Sequence, residues 1–130
     1  QGKGEASRSF HDWARNHQVK KGNETRMTLL NNWESTYFDF DENKLIGLMD
    51  EATKLGVDMF LLDDGWFANK YPRSSDHQGL GDWEETAGKL PNGVGRLVEE
   101  AHKKGIKFGI WIEPEMVNPK ASFTRNIRTG

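Results

Sequence analysis

The sequence predicts an α/β fold built on a parallel sheet. Three short apolar segments, 27–30, 57–62 and 106–112, alternate with two segments in which apolar residues recur at helical spacing. Continuously apolar strands are typical of parallel sheets, because helices cover their faces. A short repeat supports this interpretation, since Lys-Leu-Gly-Val at 54–57 and Lys-Lys-Gly-Ile at 103–106 each lead from a predicted helix into a predicted strand.

Three helices are predicted from apolar spacing and from residues that favour helix ends. The first covers about 5–18 and precedes the strands. The second begins after Asp41, a residue type that caps helices, and ends at Gly56, whereas the third ends at Gly105. We expect the second helix to carry Leu45, Leu48, Met49, Ala52 and Leu55 on one apolar face, and the third to carry Val94, Leu97, Val98 and Ala101.

The composition excludes several functional classes. The 130 residues carry 18 basic and 20 acidic side chains, and the net charge of −2 gives no electrostatic basis for binding nucleic acid or an anionic membrane. No apolar run is long enough to span a membrane. The absence of cysteine excludes disulfides, thiolate metal sites and a cysteine nucleophile, and the four histidines lack metal-site spacing. We expect no metal and no cofactor, and we favour a cytoplasmic location over secretion.

Functional residues are expected where the strands end. Ligands of α/β sheets and barrels bind at the carboxyl ends of strands, and right-handed crossovers place all three ends on one side. The segment 67–92 shows no periodic element and is expected to form a lid or binding loop there. Indole rings, carboxylates and amides together suit a sugar better than a phosphate or a purely apolar ligand. The residues at these ends are Asn31, Asn32, Trp33, Glu34, Asp63, Asp64, Gly65, Trp66, Trp111, Glu113 and Glu115.

Each of these residues also has a purely structural interpretation. A tryptophan near a strand end more often packs than binds a ligand. Asp63 and Asp64 could cap a turn or hold a divalent cation through oxygen ligands. Glu113 and Glu115 could be a catalytic pair or could bond to the loop backbone. The residues alone leave these alternatives open.

Several sequence blocks together resemble the α-galactosidases of glycoside hydrolase family 36, the melibiases. They occur in order from about residue 7 to residue 119, and several blocks at compatible spacing are more specific than any single motif. The blocks are Asn31-Asn32-Trp33-Glu34-Ser35-Thr36-Tyr37-Phe38, Leu62-Asp63-Asp64-Gly65-Trp66-Phe67, Gly81-Asp82-Trp83, Lys89-Leu90-Pro91-Asn92-Gly93 and Phe108-Gly109-Ile110-Trp111-Ile112-Glu113-Pro114-Glu115-Met116-Val117.

The resemblance implies a partial (β/α)8 TIM barrel, namely about the first three parallel strands with their helices, preceded by a linker helix. A complete barrel needs about 200–250 residues. We therefore expect the chain, which starts at Gln1 and ends at Gly130 in a polar stretch, to be cut from something longer. We expect an N-terminal helix and linker at 1–26, the first βα units of a catalytic barrel at 27–119, and a tail of undetermined structure at 120–130.

The resemblance also implies a retaining exo-hydrolase that removes terminal α-1,6-linked galactose from oligosaccharides such as melibiose and raffinose. By position, Asp63 and Asp64 correspond to the pair that binds galactose hydroxyls. Trp33 corresponds to a tryptophan of the sugar subsite, and Trp111 to another pocket aromatic. The two catalytic aspartates of the family lie on later strands, and no Lys-x-Asp nucleophile motif occurs in the 130 residues. We therefore expect this chain to recognise the sugar without cleaving it, in a site completed by the remainder of the parent enzyme.

Other functions remain as alternatives at this point. A related galactosyl transglycosidase or an α-N-acetylgalactosaminidase would share the barrel. A non-catalytic carbohydrate-binding module would stack sugars on Trp33, Trp66 and Trp111. A metal-dependent α/β hydrolase would hold magnesium with the Asp63–Asp64 pair and Glu113. Whether the chain forms a homo-oligomer is also left open.

Overall fold

A computed structural model describes residues 2–122. In this part of the chain, three strands form a parallel sheet in the order β1-β2-β3. Leu30 pairs with Phe60 and Phe60 with Phe108 across the sheet, which confirms the predicted α/β fold. Most of the tail predicted at 120–130 lies after residue 122 and is therefore outside the described residues. The elements in chain order are α1 (Lys3–His17), β1 (Leu29–Asn31), α2 (Trp33–Thr36), α3 (Glu42–Lys54), β2 (Met59–Leu62), α4 (Gly93–Lys103) and β3 (Lys107–Ile110).

The second and third strands begin later than predicted because the helices before them end in the same closing turn. Gly56 and Gly105 both have a φ of +74°, the left-handed conformation that glycine adopts without steric cost. The next N–H then bonds back into the helix, from Val57 to the carbonyl of Ala52 and from Ile106 to the carbonyl of Ala101. The first apolar residue of each predicted strand is therefore the last residue of a helix cap.

The core lies between the sheet and helices α3 and α4. Alternate residues of β2 are fully buried against these helices, while the residues between them are only half-buried on the opposite face. The prediction for Leu55 is wrong, because this residue caps α3 and is 76% exposed. The buried side chains that join sheet and helices include Leu45, Met49, Ala52, Phe60, Leu62, Leu97 and Ala101.

Helix α1 buries no residue. Its aromatic face is stacked along the helix, with ring centroids 6.4 Å apart for Phe10 and Trp13 and 5.4 Å apart for Trp13 and His17. In residues 2–122, no helix is both long and apolar enough to cross a membrane.

Asp41 caps α3 as predicted, since its carboxylate accepts the backbone N–H of Lys44 at 2.8 Å. We expect Asp41→Ala to lower the free energy of unfolding by about 1 kcal/mol, because it leaves one helix N–H without its acceptor. Urea denaturation followed by tryptophan fluorescence measures the change. Asn43→Ala, in the exposed first turn of the same helix, should stay within about 0.5 kcal/mol of the wild type. Equal losses in the two variants would contradict the capping role.

Candidate functional site

Two adjacent asparagines at the end of β1 fix the backbone and side chain of Asp63. Asn32 is fully buried, and its side-chain oxygen accepts the backbone N–H of Asp63 at 2.8 Å. The amide of Asn31 donates to the Asp63 carboxylate, and its oxygen accepts the Trp33 N–H at 2.8 Å. Asp63 therefore stays half-buried at the rim with its orientation set by the neighbouring strand end.

Asp64 forms a buried, bidentate ion pair with Arg73. The Nε and Nη2 groups of Arg73 each donate to one carboxylate oxygen at 2.9 Å. The guanidinium is held from several sides, with Nη1 donating to the carbonyls of Ser75 and Gln78 and to the side-chain oxygen of Asn118. Since a carboxylate has about four acceptor positions, Asp64 can still accept hydrogen bonds from a ligand.

The two carboxylates lie beyond the regular strand, because β2 ends at Leu62. Adjacent side chains in a strand point to opposite faces, and this constraint ends with the strand. The Asp64 N–H donates to the Asp63 carboxylate at 2.7 Å, so a tight local turn follows, in which Gly65 has a φ of +101°. Asp63 and Asp64 are thus free of the alternation that would separate them.

Lys89 joins three segments beneath this turn. Its ammonium donates to the carbonyls of Phe38 and Gly65 at 2.8 Å each and of Arg73 at 3.2 Å. It also lies 4.5 Å from the centre of the Phe40 ring. Burial lowers the pKa of Lys89 to about 8, while the charges of Asp64 and Asp39 raise it.

The four tryptophans that follow α1 separate into two groups. Trp33 makes edge contacts with the rings of Tyr37 and Phe38, at centroid distances of 5.4 Å and 4.9 Å, and is half-buried. The second group is a cluster of Trp66, Phe67, Trp83 and Trp111, in which Phe67 and Trp83 are 4.5 Å apart.

Trp66 does not provide the surface platform that a carbohydrate-binding module would need. It is only 6% exposed, and its indole N–H donates to the carbonyl of Trp111 at 2.9 Å. This contact links the ends of β2 and β3 and satisfies the polar group of a core side chain. The structural interpretation of this tryptophan is the correct one.

The carboxylates that the magnesium-dependent alternative requires, Asp63, Asp64 and Glu113, do not form a metal site. Asp64 is engaged by Arg73, and Glu113 is half-buried beyond β3. Within the described part of the chain, no group of three His, Asp or Glu side chains could hold a metal ion. Glu115 is exposed, and the backbone N–H of Met116 closes the turn onto the Glu113 carbonyl at 3.4 Å.

Sequence reasoning missed Arg73 and Lys89 as site residues. Arg73 lies in the segment 67–92, which has no periodic pattern, so nothing local distinguishes it from a solvated charge. Lys89 belongs to one of the sequence blocks that resemble the family, but its acceptors are backbone carbonyls, which have no signature in the sequence. The segment itself packs into the structure, with Phe67, Ala68, Leu80 and Leu90 in the core.

Comparison with known proteins identifies relatives across the whole described fold. The family model described as Melibiase matches residues 1–128. A probable α-galactosidase C from Aspergillus flavus is 45% identical over 130 residues, covering 93% of this chain and 17% of that protein. The chain thus spans less than a fifth of the curated relatives it matches.

Solved structures give the same result. The α-galactosidase from Lactobacillus brevis matches with a TM-score of 0.83 and 39% identity, over 95% of this chain and 16% of that one. The GH36 α-galactosidase AgaA from Geobacillus stearothermophilus matches with a TM-score of 0.81 and 39% identity, over 92% of this chain and 17% of that one. The three parallel strands and their helices therefore correspond to the N-terminal part of a GH36 barrel domain.

Proposed function

The chain belongs to the melibiase family of α-galactosidases, and we propose that it supplies the galactose-recognition part of a retaining exo-α-galactosidase. The substrates proposed are oligosaccharides with a terminal α-1,6-linked galactose. Variants of the relative AgaA have been crystallised in complex with stachyose and with raffinose, which supports this substrate class.

The observation that carries the proposal is the fixed pair of carboxylates at the end of β2. Hydrogen bonds from Asn31 and from the neighbouring backbone orient Asp63, and the bidentate contact with Arg73 orients Asp64. Carboxylates held in this way need no rearrangement when a sugar hydroxyl donates to them, which favours binding. We assign Asp63 and Asp64 to the galactose hydroxyls, and the half-buried rings of Trp33 and Trp111 to the walls of the same subsite.

The proposal leaves bond cleavage to residues outside this chain. A retaining glycosidase needs a nucleophile and an acid/base carboxylate about 5–5.5 Å apart. Asp63 and Asp64 have recognition roles in this proposal, and no step is assigned to Glu113 or Glu115. The remainder of the parent enzyme then supplies both catalytic groups.

Asp63→Asn tests the recognition role in the α-galactosidase that contains this chain. We expect KM for a chromogenic α-galactoside to rise at least about tenfold, the scale of one hydrogen bond to a charged group. Asp12→Asn, which changes an exposed carboxylate on α1, should leave KM unchanged. Unchanged kinetics in Asp63→Asn would refute the assignment. Hydrolysis by the 130-residue chain alone would place the catalytic pair within it and make Glu113 and Glu115 the next residues to replace.

A further inference from the structure

Lys89 uses all three of its donors on backbone carbonyls that belong to different segments. The carbonyl of Phe38 lies after α2, that of Gly65 directly follows Asp64, and that of Arg73 belongs to the residue whose side chain holds Asp64. One ammonium group thus connects the backbone on both sides of the Asp64–Arg73 ion pair. An apolar side chain of similar length would leave all three carbonyls without this donor.

We propose that Lys89 is a positioning residue for Asp64: its ammonium group holds the backbone on both sides of the Asp64–Arg73 pair, and the carboxylate loses its alignment when that group is neutralised or removed. The inference rests on the proposed role of Asp64 in galactose recognition. Lys89 itself contacts backbone and the Phe40 ring, so its effect on a sugar acts through the aspartate.

The charged surroundings of Lys89 define its response to pH. Asp64 and Asp39 are the negative groups that act on its ammonium, and the guanidinium of Arg73 is turned to Asp64. The start of α3 contributes a backbone contact, from the Glu42 N–H to the Lys89 carbonyl, and the Glu42 side chain accepts from Asn92. Since burial lowers the pKa of Lys89 to about 8, mildly alkaline solution removes its proton in the folded protein.

A neutral amine has two N–H donors, so one of the three carbonyls loses its hydrogen bond from Lys89 above this pH. This loss of alignment differs from unfolding, because folding stability changes in the opposite direction. An unshifted lysine keeps its proton up to about 10.5, so between about 8 and 10.5 the unfolded chain binds more protons than the folded one. The contribution of Lys89 to folding stability therefore rises over this range, while the alignment of Asp64 worsens.

The functional test uses the α-galactosidase that contains the chain. At neutral pH we expect Lys89→Met to raise KM for a chromogenic α-galactoside about tenfold, the scale of one hydrogen bond to a charged group. In the wild type we expect KM to rise around pH 8, where Lys89 loses its proton. Lys89→Arg keeps a charge that does not titrate, so it should retain most of the affinity and should not show this rise. Lys54→Met is the matched control, because Lys54 pairs with Glu51 on the exposed surface of α3 and should leave KM and its pH profile unchanged.

A second measurement needs no sugar. Hydrogen–deuterium exchange of the segment 63–73, corrected for the intrinsic exchange rate, is compared about one unit below and one unit above pH 8. We expect protection to fall at the higher pH in the wild type, to stay constant in Lys89→Arg, and to be low at both in Lys89→Met. The proposal would be overturned if Lys89→Met had the kinetics and exchange of the wild type. It would also be overturned if Lys89→Arg lost protection at the higher pH to the same extent as the wild type.

The two measurements also separate this inference from the proposed function. A wild-type enzyme that neither binds nor hydrolyses α-galactosides would refute the proposed function, and hydrogen exchange would still decide whether Lys89 positions the segment. An active enzyme with Lys89 variants that behave like the wild type would refute the inference alone.

Discussion

Replacing Arg73 with methionine is expected to lower the free energy of unfolding by about 3–5 kcal/mol, the range for removing one partner of a buried ion pair. Arg73 is 4% exposed, and its guanidinium donates two hydrogen bonds to the Asp64 carboxylate. Its loss leaves the buried Asp64 carboxylate without its hydrogen-bonded partner, and also leaves the carbonyls of Ser75 and Gln78 without this donor. Urea denaturation followed by tryptophan fluorescence measures the effect.

The double variant Arg73→Met with Asp64→Asn distinguishes ion pairing from simple loss of packing. Removing the charge of Asp64 should restore a substantial part of the lost stability, because the uncompensated carboxylate is then gone. Arg15→Met, at the exposed pair with Asp12, should change stability by less than about 1 kcal/mol. If the double variant is as unstable as the sum of the single variants, the pair is not the source of the stability.

As a single substitution, Phe67→Ala is expected to lower the free energy of unfolding by about 3–5 kcal/mol, the range for removing a large aromatic side chain from a core. Phe67 is fully buried and is the ring that contacts all three tryptophans of its cluster, at centroid distances of 4.5 Å to Trp83, 5.3 Å to Trp66 and 6.4 Å to Trp111. Removing it leaves a cavity where the segment 67–92 packs onto the sheet. Thermal or urea unfolding measures the loss.

The exposed Phe10 on α1 provides the matched control for this variant. Phe10 is 66% exposed, so Phe10→Ala should change stability by less than about 0.5 kcal/mol. Phe67→Leu keeps most of the buried volume and should recover part of the loss. An equal effect of the two alanine variants would show that the aromatic cluster does not anchor the segment.

The elements that were predicted well are those whose sequence patterns involve only residues close together in the chain. The spacing of Leu45, Met49 and Ala52 and the cap at Asp41 depend only on neighbouring residues, as does the closing turn at Gly56. The four-residue helix α2 is too short for periodicity to detect. The prediction for Leu55 is wrong because the helix ends one residue earlier, where the cap turns the side chain into solvent.

The site was predictable only as far as chain topology determines it. Parallel strands bring Asn31 and Asp63 to one edge, and the short hydrogen-bonded contact between them follows from that register. Arg73 and Lys89 come from the aperiodic segment, and their partners are far away in the chain or belong to the backbone. Trp66 resembled a sugar platform in the sequence because composition does not distinguish an exposed indole from a buried one.

The closing turns of α3 and α4 make the two helix-to-strand steps geometrically equivalent. The same pair of backbone hydrogen bonds recurs in both, from Gly56 to Thr53 and Val57 to Ala52, and from Gly105 to His102 and Ile106 to Ala101. The chain therefore leaves both helices in the same left-handed conformation and enters β2 and β3 in the same way. A repeated helix-to-strand joint is what a fold built from successive βα units needs, because each unit must return the chain to the same edge of the sheet. This joint lies at the amino-terminal ends of the strands, opposite the end that carries Asp63 and Asp64.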